Sequence, residues 1–189
     1  RYFLANQFRN LDNIMAHYHT TGKEILDQMN GDVAAFVAGV GTGGTLMGVG
    51  RALRERNPNV RIVAVEPEEA AILSGRKVIR EHKIAGIGDG FVPEIVDMNQ
   101  IDSVIAIKSD DAVKMARKIS REHGLMIGIS SGANALASIK VMDEIGQDKK
   151  VVTVFPDRTE RYFSTDLCTS SERQVRQCSK HCECPFGKL

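Results

Sequence analysis

Apolar residues in this chain come in short continuous runs, separated by segments with helical spacing. Val33 to Val37 is an unbroken run of the kind shown by a strand buried on both faces. Behind it, Leu46, Val49 and Leu53 fall on one face of a helix that begins near Thr45 and ends near Asn57-Pro58, since proline disfavours helical backbone in the residue before it. Val60 to Val65 is a second strand, interrupted only by Arg61 and closed by Glu66-Pro67. Strand, helix, strand is a βαβ unit, and a right-handed crossover puts its two strands parallel in one sheet. Further strands are expected at Val104 to Ile107 and Val151 to Phe155. Between them, one helix runs from an N-cap at Ser109, with Asp110 and Asp111 in its first turn, through Val113, Met115, Ala116 and Ile119 to a stop near Gly124. A second helix, rich in Ala, Leu and Ile, follows Ile127-Gly128-Ile129. Ahead of the first strand, Thr21-Gly22-Lys23-Glu24 fits a capping box for a helix over about Gly22 to Gln28, with Ile25 and Met29 as its apolar face. The pattern predicts an α/β fold, a mostly parallel sheet with helices on both faces.

Composition narrows the function classes. The 189 residues can bury a sizeable core, as one domain or as part of a larger one. A net charge of +1, with acids and bases mixed along the chain, gives no electrostatic footprint for nucleic acid or a membrane surface, and neither is expected as a partner. No apolar run approaches the roughly 20 residues of a membrane span and no secretory pattern opens the chain, so the expected compartment is the cytoplasm. Arg1-Tyr2-Phe3-Leu4 begins without Met and without a tail-like composition, which leads to the expectation of a fragment. The four cysteines, Cys168, Cys178, Cys182 and Cys184, all lie in the last 22 residues, so no disulfide can staple the core. Their spacings, with His181, are not the paired spacings of structural zinc. A disordered extension over 168–189 is expected, with metal binding as the alternative. His17, His19, His82 and His123 are scattered and read as surface or packing residues; no metal site is expected.

Candidate chemistry sits where the apolar runs meet glycine. Val37-Ala38-Gly39-Val40-Gly41-Thr42-Gly43-Gly44-Thr45 joins the first strand to its helix, and such a turn lets backbone N–H groups and the helix N-terminus approach an anion. Gly39-x-Gly41-x-x-Gly44 also satisfies the dinucleotide fingerprint, with Glu66 standing 22 residues beyond Gly44. Thr42 and Thr45 instead suit a terminal monophosphate. A second glycine-rich loop, His82 to Phe91, either lines a ligand site or is plain surface. Ser130, in Gly128-Ile129-Ser130-Ser131-Gly132-Ala133, either caps its helix or faces a ligand.

Four separated motifs carry a resemblance. Gly41-Thr42-Gly43-Gly44-Thr45, His82-Lys83-Ile84-x-Gly86-Ile87-Gly88-x-Gly90-Phe91, Gly128-Ile129-Ser130-Ser131-Gly132-Ala133 and Glu160-Arg161-Tyr162-x-Ser164-Thr165 occur in the order and spacing of the cysteine synthase family. From about Ala5 to Leu167 the chain resembles the C-terminal part of an O-acetylserine sulfhydrylase. The resemblance implies an incomplete tryptophan-synthase-like fold (pyridoxal-phosphate fold type II), usually homodimeric. The activity it implies is β-replacement, forming L-cysteine from O-acetylserine or O-phosphoserine and sulfide. It implies that Gly41, Thr42, Gly43, Gly44 and Thr45 bind the phosphate of pyridoxal 5′-phosphate. Ser130 would hydrogen-bond the pyridine nitrogen, a neutral contact that does not enforce ring protonation. Gln7 would help to hold substrate, with the loop containing Gly86 and Gly88 on the substrate side. The implied domains are 1–12, a remnant of the substrate domain and linker; 13–167, the phosphate-binding domain; and the cysteine-rich tail from 168. The family's Schiff-base lysine and its upstream Thr-Ser-Gly-Asn loop match nothing here, so no catalytic residue is nominated and the chain alone is expected not to turn over. Asp157-Arg158-Thr159 departs from the commoner Pro-Ser-x-Gly-Glu-Arg-Tyr form by lacking the glycine, which bears on local loop shape. A cystathionine β-synthase-like fragment, a Rossmann-type dinucleotide domain and a non-catalytic binding fragment are the alternatives.

Overall fold

The computed structural model describes residues 1–168. The expectations for the tail beyond Cys168 lie outside the described residues. Four strands, β1 (Ala35–Gly39), β2 (Arg61–Pro67), β3 (Ser103–Ile107) and β4 (Val151–Thr153), form one sheet in the order β3-β2-β1-β4 with every pair parallel. Val37 stands opposite Val63 on one side and Thr153 on the other. The helices are α1 (Asp12–His19), α2 (Thr21–Gln28), α3 (Gly44–Arg56), α4 (Ser109–His123) and α5 (Ile129–Ile145).

Pleating divides the strands between two cores. Phe36, Ala38, Ile62 and Ala64 pack with Leu46, Val49 and Leu53 of α3, while Ala35, Val37, Val63 and Val65 pack with α4 and α5 through Val113, Ala116, Ala133 and Ala137. Helices on both faces leave no solvent side for 35–38 of β1 and 62–65 of β2, and those stretches are apolar at every position for that reason. Complete burial of a side chain such as Phe36 or Leu53 is worth about 1.5–3 kcal/mol. Both ligand-loop candidates, and the start of α5, lie at the carboxyl ends of the strands, where open parallel sheets bind ligands. Among the described residues no helix is long and apolar enough to cross a membrane.

Three local expectations need correction. The capping box does not form: Thr20 precedes α2, Thr20 O accepts from Glu24 N, and the Thr21 hydroxyl turns to His17 instead. Ser109 is the first residue of α4 and not its cap, because its Oγ accepts from Lys83 N. β4 stops at Thr153 and does not reach Phe155. Beyond that point the Asn134 amide takes Val154 O, ending the ladder. α1, which the apolar pattern does not predict, has no buried residue.

Candidate functional site

The first glycine loop leaves β1 at Gly39 and enters α3 at Gly44. Gly43 turns the chain with φ +90, a backbone that side chains rarely adopt, and a Cβ there would lie 2.2 Å from Val96 Cγ2. The loop's two threonines are each held from α1, one helical turn apart. Asn13 Nδ2 donates to Thr42 Oγ1 at 2.9 Å, and His17 Nε2 lies 3.2 Å from Thr45 Oγ1. Thr42 Oγ1 also accepts from Gly44 N at 3.3 Å, which leaves its own proton for an outside acceptor. His17 Nδ1 meets Thr21 Oγ1 at 3.1 Å, and burial lowers the imidazole pKa, favouring the neutral ring that can donate on one side and accept on the other. Asn13 and His17 have no motif of their own. Their spacing of four acquires meaning only once α1 is known to be a helix.

Beside this loop lies a cleft of about 310 Å³ with three walls. Gly41, Thr42, Gly43 and Thr45 form the first, Gly86 and Ile87 the second, and Ser130, Asn134, Asp157 and Arg161 the third. The second loop is strapped to the first, since Gly88 N donates to Val40 O at 3.1 Å and His82 Nε2 donates to Gly88 O at 3.0 Å. Ser130 is the second residue of α5, past the cap position that Gly128 fills, so it is not the helix cap. Asn134 Oδ1 and Asp157 Oδ1 are buried and have no hydrogen-bond partner among the described residues. Donors on the glycine wall and unsatisfied acceptors on the far wall fit a ligand with a phosphate at one end and a polar ring at the other.

Not every sequence candidate lines this cleft. Gly44 is buried at the start of α3, where a Cβ would fall 1.9 Å from Asn13 Oδ1. Gln7 has an exposed side chain, and its carbonyl accepts from Asn13 Nδ2 at 2.9 Å. Gly88 lines an adjoining open hollow with Arg80, His82 and Asp89, which meets the cleft at Gly86 and Ile87. Among the described residues no lysine lines the cleft. Lys83 is in the second loop, but its ammonium is 2.6 Å from Asp166 and 3.0 Å from Asp110; these bonds, Asp166 first, raise its pKa and keep it protonated. Glu66 is buried rather than free for a ribose: Leu73 N donates to one oxygen at 2.7 Å, and Ser74 N and Oγ donate to the other. A larger hollow of about 400 Å³, rimmed by Lys108, Lys114, Lys118 and Lys140, is lined by none of the glycine-loop residues.

Residues 1–157 match the family model described as pyridoxal-phosphate dependent enzyme. The chain is 47% identical over 167 residues to a cysteine synthase of Staphylococcus aureus, an alignment covering 88% of this chain and 54% of the relative. It is 45% identical to the solved O-acetyl serine sulfhydrylase isoform 3 of Entamoeba histolytica, with a TM-score of 0.86 over 93% of this chain and 52% of that one. A hydrogen sulfide-producing enzyme from Fusobacterium nucleatum is similar at 40% identity and a TM-score of 0.85, over 90% and 52% of the two chains. The chain spans about half the length of the curated relatives it matches.

Proposed function

The chain belongs to the pyridoxal-phosphate dependent enzyme family, and from that premise we propose that its cleft holds pyridoxal 5′-phosphate as part of a cysteine synthase. The reaction in this reading is β-replacement, forming L-cysteine from O-acetylserine or O-phosphoserine and sulfide. One observation carries it: a donor-rich glycine loop and the buried Ser130 hydroxyl face a common cleft of a size to hold a phosphorylated ring. The bound group supplies an electron sink for chemistry at the substrate's α-carbon.

The residues of this chain bind and orient. The N–H groups and dipole at the start of α3, with the hydroxyls of Thr42 and Thr45, neutralise the phosphate. Asn13 and His17 hold those hydroxyls in place. Ser130 hydrogen-bonds the ring nitrogen, while Gly86 and Ile87 close the second wall against water. Gln7 and Gly88, together with Gly86, belong to the substrate side. Residues 13–167 are the phosphate-binding domain in this reading, 1–12 belong with the substrate domain, and the working form is a cytoplasmic homodimer. A dinucleotide reading loses its ribose contact because Glu66 is spent on Leu73 and Ser74.

Equilibrium dialysis against pyridoxal 5′-phosphate, with inorganic phosphate as competitor, tests the assignment. We expect binding that phosphate displaces and that Thr42→Ala weakens about tenfold, the worth of one hydrogen bond to a charged group. Equal binding of unphosphorylated pyridoxal overturns it. With no lysine among the described residues that line the cleft, borohydride treatment should trap no ligand in a form that inorganic phosphate competes away; phosphate-competed attachment at Lys83 overturns that part.

A further inference from the structure

Ser130 shares its wall of the cleft with a carboxylate to which sequence spacing assigns no role. Asp157 follows β4 across Pro156 and stands where the commoner form of the motif has serine. It is tied to the start of α5 at both backbone and side chain. Gly128 N donates to Asp157 O at 3.1 Å, and a Cβ on Gly128 would lie 1.9 Å from Asp157 Oδ1, so the carboxylate fills the space a side chain would need there. Gly128 caps a helix of 17 residues, whose positive end therefore faces the same place. Asp157 Oδ2 accepts the Tyr162 hydroxyl. Burial, and then that hydrogen bond, push the phenol far above its ordinary range and keep it a donor. Asp157 Oδ1 is buried with no partner among the described residues, although it lines a cleft. Among the described residues the other charged side chain lining the cleft is Arg161, from the same segment; the glycine loops and α5 contribute none.

We propose that Asp157 is a positioning residue of this site: with one oxygen held by Tyr162, its carboxylate acts beside Ser130 to raise the proton affinity of a ring nitrogen bound there. The inference rests on the phosphate and ring-nitrogen reading above. A lone serine hydroxyl leaves such a nitrogen free to lose its proton in the positive field of α5. An anion within a few ångströms offsets that field and favours the protonated ring. The site is then a stronger electron sink than its serine alone indicates.

The probe is 4-deoxypyridoxine 5′-phosphate carrying nitrogen-15 in the ring, which has the phosphate and the nitrogen but no aldehyde, so that its binding needs no lysine. Its nitrogen-15 chemical shift, followed against pH on the full chain, reads the proton directly, and a merely structural role for Asp157 would not move it. In Asp157→Asn the pKa of the bound nitrogen should fall by about one unit or more. An unchanged value overturns the proposal and leaves the phosphate reading standing. Absence of phosphate-displaceable probe binding to the unsubstituted chain overturns both. Should Asp157→Asn fail to fold by circular dichroism, Tyr162→Phe decides: loss of the hydroxyl leaves the carboxylate charge less neutralised, so the pKa should rise, and an unchanged or lowered value overturns the proposal.

Discussion

His17 holds its ring between two threonine hydroxyls, one from the first glycine loop and one from α2, with its pKa lowered by burial below the ordinary 6.5. As the pH falls, the unfolded chain takes up this proton near its ordinary value and the folded chain only below it. The unfolded state therefore binds more protons in that window, and the stability present above about pH 6.5 is lost as pH falls through the folded value. Urea midpoints measured from about pH 7.5 to about pH 5.5 should drop further in the native sequence than in His17→Asn, which cannot titrate there. Parallel curves would show that the ring is not held neutral. Asn13 makes a related case without charge: Asn13→Ala removes donors to Thr42 and to Gln7 O, and should cost about 1–2 kcal/mol in the same denaturation experiment. Neither residue was legible as a site residue. Thr45 is 28 positions from His17, and only the tertiary packing of α1 brings them together.

Elements that bury apolar side chains were legible almost to the residue, because burial is what the sequence pattern records. β2 and β3 sit within a residue or two of the continuous apolar runs that predict them, β1 starts and stops two residues later than its run, and α3 and α4 start and stop within a residue or two of their signals. α1 lacks such a record, since it fully buries no residue and meets α3 through polar groups, glycine and the half-buried Ile14. A Cβ on Gly48 would lie 2.4 Å from Ile14 O and 2.8 Å from His17 Cβ, so the two helices approach more closely than any side chain allows. Gly48→Ala sets two effects against each other. Alanine favours a helix interior by about 1 kcal/mol. Overpacking against a backbone carbonyl costs about 1–3 kcal/mol, and a carbonyl, unlike a side-chain tip, cannot rotate away. We expect net destabilisation together with weaker phosphate binding, as α1 withdraws from Thr42 and Thr45. A stabilised variant would mean that α1 does not seat against α3 in this way.

At the scale of the whole molecule, the cleft belongs to no single stretch of sequence. Its walls come from residues 39–45, 85–87 and 130–161, brought together because parallel strands return every loop of this kind to the same edge of the sheet. Local reading could find each loop but not their convergence; the order of the four motifs supplied that by resemblance. A ligand spanning the walls binds the folded chain and not the unfolded one, so at 100 times its dissociation constant it should add about 2.7 kcal/mol of stability. Inorganic phosphate and pyridoxal 5′-phosphate should distribute that protection differently. In the proposed reading phosphate meets only the first wall and should slow amide hydrogen exchange at Thr42 to Thr45. In the same reading the full ligand also touches the third wall, and should slow exchange at Thr42 to Thr45 and at Ile129 to Ala133 together, in the ratio set by a single binding event. Equal protection of both segments by phosphate alone would show that α5 responds to the loop and not to the ring. Protection confined to Thr42 to Thr45 with both ligands would place the ring outside the cleft and remove Ser130 from the site.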